Sequence, residues 1–145
     1  MTTFLRAATP HDVAALAAIL GTWIAETWWM PKLHSSDETH AFLTDLINTQ
    51  TVRMADGAGF LSRLGNEVTA LYLAPPAWGK GLGTAMLQEA KAATDQLCVW
   101  TFQANLAARR FYLAQGFEEI ERTDGAANEE RLPDLHLQWR ANRGN

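Results

Sequence analysis

The chain has 145 residues, a formal charge of −4, and 48% hydrophobic against 19% charged residues, the balance of one globular domain, residues 1–145, with a single sizeable core. That acidic balance excludes a general nucleic-acid binder, which needs a basic stripe to neutralise phosphates. No apolar run reaches the length of a membrane span, no signal-peptide pattern opens the chain, and its one cysteine excludes an internal disulfide and a cysteine zinc cluster, so a cytoplasmic protein with no membrane partner is expected.

Thr3 to Ala7 alternates as a first strand does, with Phe4 as its inward residue. Thr9-Pro10 reads as N-cap and first helical position, with Asp12 in the first turn. Val13, Leu16, Ala17, Leu20, Trp23 and Ile24 then share one stripe at helical spacing and are read as core. Pro31 discourages helix at Met30, so the segment from Trp28 to His34 is a loop between two helices. Trp28 and Trp29 on that loop either cap the core or line a substrate pocket. Ser35 and Glu38 form a capping-box pattern, after which Phe42, Leu43, Leu46 and Ile47 face inward. Thr51–Ala55, Gly59–Leu64 and Glu67–Ala74 are strands joined by Asp56-Gly57 and Gly65-Asn66, an antiparallel meander.

Pro75 and Pro76 stop the third of these strands. Trp78-Gly79-Lys80-Gly81-Leu82-Gly83 follows, and then a helix from Thr84 to Ala93. A strand, a glycine turn and a helix aim several backbone N–H groups at one point, at the positive end of a helix dipole, which makes an anion site. A Walker A loop does not fit, because Lys80 is followed by Gly81 and position 74 is Ala, and the dinucleotide glycine spacing fails as well. Leu97 to Phe102 is a nearly continuous apolar run, as for a central strand covered on both faces. Cys98 lies in its middle and is read as a packing residue rather than a nucleophile. Asn105 caps a helix from Leu106 to Gln115, which Gly116 closes. Two strands around the loop from Arg122 to Pro133 complete the chain. The last, Asp134 to Arg140, alternates Leu135, Leu137 and Trp139; read as an apolar edge, it suggests a homodimer.

Two of these segments resemble the GNAT superfamily of N-acetyltransferases. Residues Trp78 to Gly83 are similar to its pyrophosphate loop, Arg/Gln-x-x-Gly-x-Gly/Ala, with Trp78 replacing the first residue. Asn105, Ala108, Phe111, Tyr112, Gly116 and Phe117 match its Asn-x-x-Ala-x-x-Phe-Tyr-x-x-x-Gly-Phe element in the same order and spacing. The resemblance implies an α+β fold: a mixed, mostly antiparallel sheet of six or seven strands, splayed between two central strands and flanked by about four helices. It implies acetyl-CoA as co-substrate and direct transfer of acetyl to an amine of a small molecule or peptide. A non-catalytic acyl-CoA-binding or sensing module on the same fold is the alternative.

By the same resemblance, backbone groups of Leu71 and Leu73 pair with the pantetheine arm, and Trp78, Gly79, Lys80, Gly81, Leu82, Gly83 and Thr84 hold the pyrophosphate. Asn105, Ala108, Phe111 and Tyr112 flank the pantetheine and thioester. A backbone N–H at the splay polarises the thioester carbonyl, and Tyr112 is the general acid for the departing thiolate. The base is left open among Glu67, His34, Glu129, Glu130 and a water chain. Trp28, Trp29 and Glu129 are candidate acceptor contacts. No group of side chains has the spacing of a metal site.

Overall fold

The protein is described by a computed structural model covering residues 4–141. Seven strands form one sheet: β1 (Arg6–Ala7), β2 (Thr51–Ala55), β3 (Gly59–Leu64), β4 (Glu67–Leu73), β5 (Gln96–Phe102), β6 (Glu118–Thr123) and β7 (Asp134–Arg140). Their spatial order is β1-β2-β3-β4-β5-β7-β6. Every pairing is antiparallel except β4 with β5. Four α-helices flank the sheet: α1 (Val13–Glu26), α2 (Ser36–Thr49), α3 (Leu82–Ala93) and α4 (Leu106–Ala114). Among the described residues no helix is long and apolar enough to cross a membrane.

Local chemistry accounts for many of the boundaries. Ser35 Oγ accepts from the Glu38 N–H while the Glu38 carboxylate accepts from the Ser35 N–H, a reciprocal cap that starts α2. Gly57 and Gly65, at the two turns of the β2–β3–β4 meander, hold φ of 68° and 59°. There a Cβ would be strained. A one-turn 3₁₀ segment, Pro10–Asp12, precedes α1 instead of an immediate α-helix, with Asp12 bonded back to Thr9.

The core has two parts, one on each face of the sheet. Val13, Leu16 and Ile19 of α1, with Leu43 and Leu46 of α2, pack on Val52, Met54, Phe60 and Ala70. On the other face Leu82, Met86 and Leu87 of α3 and Tyr112 of α4 pack on Leu61, Val68, Leu97, Val99, Leu135 and Leu137. Three inward assignments are corrected. Phe4 is 77% exposed, beyond the short β1, and Phe42 is 51% exposed, on the outer face of α2. Trp100 is 41% exposed, because α1 and α2 cover β2 to β4 and leave that face of β5 open, where the indole stacks on His136 at 4.2 Å.

The last strand is also not an edge. β7 lies between β5 and β6 and turns Leu135 and Leu137 into the core, so the apolar-edge argument for a homodimer falls. The edge on that side is β6, which carries Glu118, Glu119 and Glu121 toward solvent, charges of the kind that discourage edge-to-edge pairing.

The sheet opens at its centre. β4 and β5 pair only at Glu67 with Cys98 and Val68 with Val99. At that point β4 gains a residue against β3: Arg63 opposes Val68 and Ser62 opposes Ala70, leaving Thr69 unpaired. Such a bulge bends its strand and increases the local twist, and β4 parts from β5 directly after it. The Thr69 hydroxyl is held by Gln50 Oε1 and by the fully buried Ser62 hydroxyl.

Candidate active site

The parted strands enclose a cavity of about 600 Å³, lined by Leu71 to Leu73 of β4, the Trp78–Thr84 loop apart from Lys80, the first two turns of α4, and the C-terminal turn of α1. Ala74 N–H donates to Ala58 O at 2.8 Å, across the turn from β3. Since backbone groups alternate along an antiparallel strand, those of Leu71 and Leu73 point the other way, into the gap that β5 has left.

The loop is fitted to an anion. Gly79 and Gly81 adopt φ of 71° and 83°, and a Cβ at either would meet no protein atom within 4 Å, so side chains there would occupy only the space above the loop. Gly81 is the N-cap of α3 and contributes no side-chain cap. The first helical bond runs from Ala85 N–H to Gly81 O, which leaves the N–H groups of Leu82, Gly83 and Thr84 without helix partners. At α4, by contrast, Asn105 Oδ1 accepts from the Ala108 N–H at 3.0 Å, so that helix start is capped by its own side chain. Trp78 has a clear local role: its indole Nε1–H donates to Leu73 O at 3.0 Å, tying the loop to the end of β4. An uncapped helix start, glycines with open space above them and a cleft leading away fit a pyrophosphate and its extended arm.

The chain's two tyrosines both line the cavity. Tyr112 is 5% exposed, its ring held edge-on by Phe111 and Phe117 at 5.2 Å each. Its hydroxyl has no hydrogen-bond partner among the described residues. Burial, and then the neighbouring phenol of Tyr72, push the Tyr112 phenol well above its ordinary value. Tyr72 is wedged between Trp23 at 5.0 Å and Phe60 at 5.8 Å. Its phenol is pushed up to about 12 by burial and then by the charge of Glu130.

All the residues expected at the cofactor loop and on α4 therefore line one cavity, except Lys80, which is exposed between its two glycines. The expected base and acceptor residues do not line it. Glu67 sits at the closed base of the splay, four residues or about 13 Å of strand before Leu71. There its Oε1 faces His136 Nε2 at 3.5 Å, and Glu67 Oε2 and His136 Nε2 are both buried with no hydrogen-bond partner among the described residues. His34 pairs with Glu129 and, at 3.6 Å, with Glu38, linking the α1–α2 loop to the β6–β7 loop. Partial burial opposes the imidazolium, but Glu129 and then Glu38 outweigh it and hold His34 above its ordinary value. Trp28 is 92% exposed, whereas Trp29 packs on Trp23 at 6.0 Å and on Phe102 at 5.6 Å, over the open end of β5.

Sequence reasoning missed Trp23, Glu26, Thr27, Tyr72 and Ala107 in the wall. The first three stand at i, i+3 and i+4, one helix face, a signal available but passed over because Trp23 was assigned to the core stripe. Tyr72 carried no such signal: its placement depends on the bulge at Thr69.

Comparisons with known proteins agree with this geometry. Residues 40–119 match the profile of the family described as "Acetyltransferase (GNAT) domain". The chain is 31% identical over 133 residues to the peptidyl-lysine N-acetyltransferase YiaC of Escherichia coli, covering 86% of this chain and 90% of that one. Its fold superimposes on the apo-form solution structure of YjaB from Escherichia coli with a TM-score of 0.80 at 20% identity, over 98% of this chain and 100% of the other. It also matches yncA of Salmonella typhimurium, solved with acetyl-CoA, with a TM-score of 0.71 at 19% identity over 100% and 97% of the two chains. The chain belongs to the GNAT superfamily of acetyl-CoA-dependent N-acetyltransferases.

Proposed function

We propose that this enzyme moves acetyl from acetyl-CoA directly to a primary amine, with the glycine loop holding the pyrophosphate and Tyr112 protonating the leaving thiolate. The observation that carries the reading is a juxtaposition: the uncapped start of α3 and the unpartnered hydroxyl of Tyr112 open into one cavity. Free N–H groups of Leu82, Gly83 and Thr84 hold the anion at one end. Leu71 and Leu73 continue the line along β4 and direct an extended arm toward Tyr112, with the Leu73 carbonyl already engaged by Trp78. The bound thioester supplies an activated acyl group, and a backbone N–H in the splay polarises its carbonyl. Tyr112 stays protonated near neutral pH because its phenol is desolvated. It can therefore donate to sulfur as the C–S bond breaks.

The cavity does not end at Tyr112. It continues past Trp23, Glu26 and Thr27, which leaves room for an acceptor on the α1 side and favours catalysis over a pure binding module. A lysine side chain, the acceptor named for the relative YiaC, is the first amine to test, with small primary amines beside it. The test is release of CoA from acetyl-CoA across a panel of blocked lysine, lysine peptides, free peptide N-termini and small amines. Turnover on at least one, lowered by roughly 10²–10⁴-fold by Tyr112→Phe in a folded protein, is the expected result. Acetyl-CoA binding with no turnover on any amine would overturn it.

A further inference from the structure

The leaving thiolate has a proton donor in Tyr112, but none of the carboxylates or histidines singled out from the sequence lines the cavity to take the amine's own proton directly. What does line it is the second of the chain's two tyrosines. We propose that Tyr72 is a catalytic residue on the acceptor side, relaying the proton of the attacking amine to Glu130. The inference rests on the acetyltransferase reading.

Three observations carry it. Tyr72 stands on β4 beyond the bulge, in the stretch that has left β5, so its side chain borders the opening instead of a neighbouring strand. Its ring is clamped by Trp23 and Phe60, which fixes where the oxygen points, yet that oxygen bonds to no described protein group. A phenol with a fixed ring and a free oxygen is placed for a substrate. Glu130 stands on the β6–β7 loop, which the Glu129–His34 pair ties to the α1–α2 loop beside the C-terminal turn of α1; its charge acts on that phenol, and it has no cationic partner among the described residues.

The step balances. As the amine nitrogen bonds to the thioester carbon, its N–H proton passes to the Tyr72 oxygen while the phenol's own proton passes through water in the cavity to a Glu130 carboxylate oxygen. Tyr72 ends as it began and Glu130 gains one proton. Across the cavity the C–S bond breaks and Tyr112 gives one proton to sulfur. The proton gained at Glu130 equals the proton lost at Tyr112, and exchange with solvent restores both. A phenol held protonated suits such a relay, since it must donate at the moment it accepts.

Two measurements test the assignment on the full-length chain. Alkaline titration of phenolate absorbance follows only these two groups, and Tyr112→Phe leaves Tyr72 alone. Adding Glu130→Gln should then lower the midpoint of Tyr72 from about 12, because a negative neighbour has been removed. An unmoved midpoint overturns the Glu130 half of the relay. For catalysis, Tyr72→Phe and Glu130→Gln are each expected to lose roughly 10²-fold in turnover near neutral pH, on the best amine of the panel, with the thermal shift by acetyl-CoA unchanged. The loss should shrink as pH rises toward about 10, where hydroxide can take the proton of the attacking nitrogen in place of the relay. A loss independent of pH, as from distorted packing, or no loss at all, overturns the proposal. If the unaltered enzyme acetylates nothing, it is the acetyltransferase reading that has failed, and the relay falls with it.

Discussion

The glycine loop offers the sharpest test of the cofactor site, because its cost to the fold can be separated from its cost to binding. Gly81 sits at φ 83° with no protein atom within 4 Å of the point a Cβ would occupy, and Gly65, at φ 59° in a turn remote from the cavity, is equally open. A side chain at either position bears the left-handed penalty of roughly 1–2 kcal/mol. At roughly 4 °C per kcal/mol for a domain of this size, Gly81→Leu and Gly65→Leu should each melt about 4–8 °C below the unaltered protein. Acetyl-CoA at a hundredfold excess over its dissociation constant stabilises a folded state by about 2.7 kcal/mol, or roughly 10 °C. Gly65→Leu should keep that whole rise. Gly81→Leu should lose most of it, since its side chain fills the space above the free N–H groups of α3. Differential scanning fluorimetry of the three proteins, with and without ligand, reads both quantities. Equal ligand-induced rises in the two variants would refute the placement of the anion at this loop.

Tyr112→Phe is expected to melt close to the unaltered protein, because the lost hydroxyl has no protein partner among the described residues, while turnover falls by roughly 10²–10⁴-fold; stopped-flow or steady-state CoA release decides. Deleting Thr69 together with Ser62→Ala should leave a folded chain, since Val68 and Ala70 already pack on opposite faces. With the bulge gone, slower amide exchange at Leu71 and a lost acetyl-CoA thermal shift are expected. The His34–Glu129 link is pH-dependent in a definite direction. With His34 held above its ordinary value, its stabilisation is fully present below about pH 6.5 and is lost as pH rises through the raised folded value. Melting curves of His34→Gln should therefore differ from the unaltered protein in mild acid and converge with it in alkali.

Local signals made much of this fold legible. The Ser35–Glu38 box, the Asp56-Gly57 and Gly65-Asn66 turns and the Asn105 cap each act through near neighbours, and the elements they bound lie where they were expected. The cofactor wall was legible for the same reason, being two continuous stretches of chain. The proposed acceptor side was not, because it is assembled from three distant segments. The charge of Glu130 bears on Tyr72 from the β6–β7 loop, far away in sequence. Tyr72 joins the wall because an extra residue at Thr69 bends β4 and ends its pairing with β5. Phe42 and Phe4 failed in another way: hydrophobicity alone favoured burial, but no neighbouring element covers either. The edge position of β6 likewise depends on strand order, which alternation along β7 cannot reveal.

Trp78 also bears on when the loop loses its freedom. A loop rich in glycine keeps many backbone states open, and freezing them when a ligand arrives would weaken binding by the entropy lost. The indole bond to Leu73 O shifts that loss to an earlier event. Once the chain has folded, the loop is already anchored to the strand that guides the ligand's arm, so association meets a prepared surface. Calorimetry on Trp78→Phe would reveal it as a less favourable entropy of acetyl-CoA binding. This position, which departs from the family pattern, would then be where the chain gained its ordered loop, by folding the constraint in before any ligand is present.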